Sequence, residues 1–244
     1  MFSLTILGCN GPYPKAGGAC SSYFLEAGQN KILIDAGSGS LSNLMKLITP
    51  EKLGCIILSH LHWDHITDIP VIFYNLLIKD KRGDFKGKID LYMPGSPSGI
   101  AEIIKGFEYF NVHIIDEETT FMMDGCSFSF CRMTHPVESY AIKAAYEGKT
   151  FVYSGDTTKN DRLAAFAAGC NLLLADSAFL QKQLSENSPH MSAAQCAEIA
   201  REAGAELLAL THQSPETDVQ LYEKEAKEIY QAVHIVRLME KLEI

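Results

Sequence analysis

The chain has 244 residues, 47% hydrophobic and 21% charged, with a formal net charge of −9. That length can bury a sizeable core, and the balance is globular rather than disordered or fibrous. The acidic surplus disfavours a long nucleic acid as partner, because such binders carry a basic stripe for phosphate contacts; a small phosphate ester stays compatible with it.

Apolar runs at 4–7, 22–26 and 31–35 predict strands, with Gly28-Gln29-Asn30 turning the second onto the third. Gly37-Ser38-Gly39-Ser40 then opens a helix with an apolar face of Leu41, Leu44, Met45 and Ile48. Residues 55–58 predict a short strand that stops where His60-Leu61-His62-Trp63-Asp64-His65 begins. A helix is predicted over 66–78, interrupted early by Pro70, and a charged surface loop over 79–88. Strand 89–93, helix 99–110 and strand 112–115 follow. The stretch 119–158 reads as strands with turns at Asp124-Gly125 and Glu147-Gly148. The remainder alternates: helix 159–168, strand 171–175, helix 192–203, strand 206–211, helix 218–231, strand 233–237. No Ser/Pro-rich linker or low-complexity segment divides the chain, so we read 1–244 as a single domain. Periodicity admits two packed sheets with helices outside, or a three-layer α/β fold.

No apolar run is long enough for a membrane span, and Met1-Phe2-Ser3-Leu4-Thr5-Ile6 lacks the basic region of a signal peptide. No membrane partner is expected. Seven cysteines, none in Cys-x-x-Cys spacing, suggest reduced, buried thiols in a cytoplasmic protein.

The chemistry concentrates at strand ends. His60, His62, Asp64 and His65 crowd a single turn after a buried-looking strand, where a loop can aim several side chains inward together. Imidazole suits zinc, iron or manganese, and carboxylate suits the harder of these. His135, Asp156 and His212 each follow a strand-like run. Taken singly, each is equally well explained as a cap or a surface group; their joint order is what points to a site.

That order, His-x-His-x-Asp-His followed by His, Asp and His, resembles the metallo-β-lactamase superfamily over nearly the whole chain. Leu7-Gly8-Cys9-Asn10-Gly11-Pro12-Tyr13-Pro14 resembles the glycine-rich opening of its ribonuclease Z-like branch, and Ser21-Ser22-Tyr23-Phe24 and Ile34-Asp35-Ala36-Gly37 resemble the next two strands. Ser154-Gly155-Asp156-Thr157 and Leu210-Thr211-His212 resemble the later metal motifs. The resemblance implies an α/β (α+β) fold, a four-layer αββα sandwich. It also implies two divalent ions, usually zinc, with manganese or iron as alternatives. One ion takes His60, His62 and His135, the other Asp64, His65 and His212, and Asp156 bridges them. The branch also tends to form homodimers.

His190-Met191-Ser192-Ala193-Ala194-Gln195-Cys196-Ala197 resembles the branch segment whose non-ligand His assists the phosphate or leaving group. Ala175-Asp176-Ser177-Ala178-Phe179 matches the segment whose acidic residue orients that His, with Asp in place of the usual Glu. Ser192 also suits a helix cap, a use compatible with a catalytic His190. Ribonuclease Z inserts a tRNA-gripping arm between its third metal motif and the bridging Asp. Here two strands and the turn at Glu147-Gly148-Lys149 fill the stretch from His135 to Asp156. The resemblance therefore shifts to armless phosphodiesterases acting on small or cyclic phosphodiesters. The implied reaction is hydrolysis by a hydroxide shared between two metals, with Asp64, His190 and Asp176 as catalytic residues. Alternatives are tRNA 3′-processing, hydrolysis of another ester, lactone or thioester, and a non-catalytic metal-binding scaffold. Trp63 suits core packing or substrate stacking. Tyr13, Pro12 and Pro14 suit a turn better than a pocket wall, and His113 and His234 read as structural.

Overall fold

Alternation along the strands explains the layers. In the computed structural model, which describes residues 1–244, β1 (Phe2–Gly8) sends Leu4 and Ile6 to one apolar cluster and Leu7 to another. β2 (Ser22–Ala27) splits Tyr23 and Leu25 from Phe24, and β3 (Asn30–Ile34) splits Ile32 and Ile34 from Leu33. Side chains on a strand point alternately to opposite faces. A sheet apolar on both faces must be covered on both. One face packs against a second sheet and the other against helices.

The first sheet has the order β14-β1-β2-β3-β4-β5-β6. Its remaining members are β4 (Cys55–Ile57), β5 (Ile89–Met93), β6 (Phe110–Ile114) and β14 (Lys241–Glu243). The second sheet, β13-β12-β11-β10-β9-β8-β7, comprises β7 (Thr120–Met123), β8 (Cys126–Arg132), β9 (Tyr140–Tyr146), β10 (Lys149–Tyr153), β11 (Leu172–Asp176), β12 (Leu207–Thr211) and β13 (Val233–Ile235). Between the sheets lies a core that includes Phe128, Phe130, Phe151, Tyr153, Leu172 and Leu174. Over the first sheet pack α1 (Ser40–Leu44), α3 (Ile69–Arg82) and α4 (Ser98–Lys105) through Leu44, Ile72, Leu76 and Ile104. Over the second pack α5 (Asp161–Phe166), α6 (Ala193–Ala203) and α7 (Val219–Lys227) through Leu163, Ile199 and Tyr222. The layers run αββα, as the resemblance implied, and not as a three-layer α/β fold.

Several boundaries differ from the sequence reading. Pro70 does not interrupt a helix; it sits in the first turn of α3, where its missing N–H costs nothing. The break falls before it, because a separate short α2 (Trp63–Ile66) carries the second half of the histidine motif, Asp64 and His65. The predicted loop at 79–88 is helical as far as Arg82 and closes on Gly83 at φ 81°. The α1 helix ends at Leu44, leaving Met45 exposed. Strand β14 was not predicted; it adds an edge beside β1 through Ser3, Leu4 and Thr5. The turns at Asp124-Gly125 and Glu147-Gly148 are as predicted, each with two successive positive φ angles. No helix is long and apolar enough to cross a membrane.

Candidate metal centre

Strand direction gathers the predicted residues at one edge. β10, β11 and β12 are mutually parallel, and β8 runs with them because β9 is antiparallel to both of its neighbours. Their C-terminal ends therefore lie together, delivering His135 after β8, Asp156 after β10, Asp176 at the end of β11 and His212 after β12. The first sheet brings its own parallel pair, β3 and β4, with Asp35 and His60 beyond their ends. Ligands cluster at such strand ends in open α/β sheets generally.

All seven predicted ligands converge. His60, His62, His135 and Asp156 form one group of donor atoms, and Asp64, His65 and His212 form another. His62 Nδ1 lies 3.1 Å from His60 Nε2 and 3.0 Å from His135 Nε2. Asp156 Oδ2 lies 3.5 Å from His60 Nε2, 3.3 Å from His65 Nε2 and 3.3 Å from His212 Nε2, placing it between the groups. Asp64 Oδ2 is 3.1 Å from His212 Nε2 and 3.7 Å from His65 Nε2. Ligands about 2.1 Å from a tetrahedral zinc are roughly 3.4 Å apart, so these separations suit a shared cation.

Proton counting agrees. His135 Nδ1 faces the Pro189 carbonyl at 3.1 Å and must donate to it, leaving Nε2 as a bare lone pair. His60 Nδ1 faces Ser59 Oγ at 3.0 Å. One proton on His62 Nδ1 can serve only one of the two nitrogens it faces. Buried Asp156 Oδ1 and His65 Nε2 have no hydrogen-bond partner, an expensive arrangement in a neutral protein interior. Burial holds His60 well below its ordinary pKa, and burial likewise lowers His62 and His135. Burial also opposes protonation of His65, but Asp156 and Asp35 raise it well above its ordinary value; Asp156 and Asp64 raise His212 in the same way. The residues present fit divalent cations held by nitrogen and oxygen, with no thiolate among the donors.

One residue was missed as a site residue. Asp35 is fully buried with φ 55°. Its Oδ1 accepts from Ser59 N at 2.7 Å. Its Oδ2 accepts from His65 Nδ1 at 2.7 Å, Ser59 Oγ at 2.8 Å and Tyr153 OH at 3.1 Å. With the Ser59 hydroxyl proton given to Asp35, Ser59 Oγ accepts from His60 Nδ1. One carboxylate thus sets the tautomer of a histidine in each donor group, directing both Nε2 lone pairs inward. The signal in the sequence was a charged residue ending an otherwise apolar strand. A second constraint comes from Gly11: a Cβ there would lie 2.0 Å from the His212 ring, so the loop can pass only as glycine.

Beside the cluster, His190 Nδ1 meets Asp176 Oδ2 at 2.8 Å. Burial would lower this imidazole, but Asp176, with Asp156 behind it, raises it to about 9. Asp176 is itself buried and accepts from the Thr157 and Ala178 N–H groups. Asp156, Asp176, His190 and His212 also converge closely enough to suggest a cation. We read an ion pair instead, because the Asp176 oxygens are already engaged by backbone donors and His190. Ser192 caps α6 by accepting from Gln195 N at 3.1 Å, and the cap leaves the His190–Asp176 contact undisturbed. A cavity of about 350 Å³ opens above the cluster, lined by Pro12, His62, Trp63, Asp64, His135, Pro136, Asp156, Pro189 and His190. Pro12 is thus a wall as well as a turn residue, whereas Tyr13 is tied to Glu216. Trp63 is 63% exposed and not part of the core. His113 pairs with Asp90 and His234 with Glu240, away from the site.

Comparison with known proteins accords with this geometry. Residues 30–213 match the model of the beta-lactamase superfamily domain. The chain is 31% identical to the probable metallo-hydrolase YhfI of Bacillus subtilis, over 86% of each chain. The crystal structure of YhfI superposes with a TM-score of 0.95, at 27% identity over 99% of this chain and 98% of that one. A ribonuclease Z of Methanosarcina acetivorans is 24% identical over 100% of this chain and 98% of its own length. Human tRNase Z, short form, shares the fold, with a TM-score of 0.79 at 20% identity over 99% of each chain. This protein belongs to the metallo-β-lactamase superfamily, near YhfI and the ribonuclease Z-like proteins, and its His/Asp cluster is that of a metallo-hydrolase.

Proposed function

We propose that the protein hydrolyses small phosphodiesters, cyclic ones included, with two divalent ions, zinc first and manganese or iron as alternatives. The observation that carries this reading is His190: an imidazole not needed as a ligand, its Nδ1 held 2.8 Å from Asp176 Oδ2 at the rim of the metal-binding cluster. His60, His62 and His135 would hold one ion, Asp64, His65 and His212 the other, and Asp156 both. Ions bound there supply Lewis acidity and lower the pKa of water. The chain's own groups do the rest. With Nδ1 committed to Asp176, His190 presents Nε2–H to the cavity, where it neutralises a phosphoryl oxygen or protonates the leaving alkoxide. Asp64 lines the same cavity; His212 and His65 hold its carboxyl below the usual range against the opposing effect of burial, so it stays ionised, and from there it would orient the attacking water and take its proton.

Two features favour a small substrate over tRNA. The cavity holds a ligand of drug-like size. Strands β9 and β10 are joined by the tight Glu147-Gly148 turn, which leaves no arm in that interval. The seven unpaired cysteines suit a reducing, cytoplasmic setting. Purified protein loaded with zinc or manganese should release p-nitrophenol from bis(p-nitrophenyl) phosphate, and chelation should abolish this. Metal-replete protein without turnover on any phosphodiester would sink the proposal.

A further inference from the structure

The mechanism above leaves the apolar rim of the cavity without a use. Pro12, Pro136 and Pro189 form part of that rim, together with Trp63, the only tryptophan in the chain. Trp63 stands between His62 and Asp64 as the first residue of α2. A large ring left mostly in water forfeits burial energy. No core contact explains Trp63, and its backbone is held firmly. Its carbonyl accepts from the Thr67 N–H and hydroxyl. The following turn is locked by Ala36 N donating to His65 O at 2.7 Å, and a Cβ on Gly37 would lie 2.0 Å from Asp64 O. The attachment point of the indole is therefore tied to the ligand-bearing backbone.

The cavity is polar where His62, Asp64, His135, Asp156 and His190 line it and apolar where Trp63 and the three prolines do. None of its lining residues is Lys or Arg. A phosphodiester bound there gains charge compensation only at the cluster and His190, and contact area only from Trp63 and the prolines. A long polyanion finds no further cations to follow, whereas a planar ring finds a stacking surface. We propose that Trp63 is a specificity-determining platform that stacks on a planar ring, a nucleobase or an aryl group, carried by one ester arm of the substrate. This rests on the phosphodiesterase reading and narrows it to diesters bearing such a ring.

The competing use is a contact with a second copy, since Val71, Tyr74 and Ile78 on α3 are exposed as well. The single tryptophan makes the test direct. With metal-loaded protein excited selectively at tryptophan, AMP should quench the emission, whereas ribose 5-phosphate should not. Trp63→Ala should lower the ratio of kcat/KM for 2′,3′-cyclic AMP over glycerophosphoethanolamine by roughly 5- to 150-fold, the range that base–aromatic stacking provides, with metal content unchanged. Trp63→Phe should recover most of it. An unchanged ratio in Trp63→Ala, or emission that ignores AMP, overturns the proposal. So does emission that shifts with protein concentration alone, which would place the ring against another copy. Quenching by AMP without hydrolysis of any diester would keep the platform and remove the phosphodiesterase reading. Hydrolysis with an unchanged ratio would do the reverse.

Discussion

Replacing Asp35 by Asn tests whether a buried carboxylate governs the metal centre. The substitution keeps shape, and Asn tolerates the φ of 55° at this position. What changes is one oxygen becoming an NH2. Placed at the Oδ2 position, that group faces His65 Nδ1, Ser59 Oγ and Tyr153 OH; placed at Oδ1, it faces the Ser59 N–H. The first choice favours the His65 tautomer protonated on Nε2, which cannot bind a cation, and breaks the relay through Ser59 to His60. The second sets two donors against each other. Losing such a supporting contact costs about 10–100-fold in metal affinity, or about 1.4–2.8 kcal/mol. An unsatisfied buried donor costs about 1–3 kcal/mol of stability, leaving a domain of ordinary stability folded. Metal content after dialysis against graded chelator, with circular dichroism as the folding check, measures both. We expect folded protein with lowered metal occupancy. If Asp35→Asn retains both ions at wild-type chelator concentrations, the tautomer argument is wrong.

His190→Ala and Asp176→Asn should each cut phosphodiester turnover by about 100-fold or more while metal content holds; parallel loss of metal would make His190 a ligand. Gly11→Ala should disturb the metal group containing His212, because the added Cβ overlaps its ring; chelator titration should show weaker binding of one ion and not of both. His65 and His212 have raised pKa values and so carry protons near neutrality that a cation must displace. Metal affinity should therefore keep rising with pH above the ordinary histidine pKa of about 6.5, and calorimetric binding heats should vary with the ionisation enthalpy of the buffer; heats identical across buffers would count against this. Burial raises the thiols of Cys9 and Cys170 to about 11 and those of Cys20 and Cys126 to about 12. Iodoacetamide at neutral pH should accordingly label half-buried Cys131 first and all seven only after denaturation.

The amino-acid sequence by itself marked the candidate ligands, because the His60–His65 motif is local and His135, Asp156 and His212 each follow an apolar run, in an order that resembles the superfamily's. It also carried the short β9–β10 connection, readable from residue order, and the His190 segment, through its resemblance to the ribonuclease Z-like branch. Three things were decided by tertiary structure. The pairing of two sheets rests on which face of each strand meets which neighbour; runs apolar on both faces do not encode that choice, and the Phe128, Phe151 and Leu174 contacts do. The role of Asp35 depends on its nearness to Ser59, His65 and Tyr153, the last on the opposite sheet, so no local spacing announces it. The direction of Trp63 was open in the sequence, because a helical turn of four residues is too short for periodicity to assign a face. Only the packing of Ala36 and Gly37 against that turn leaves the indole exposed at the cavity rim.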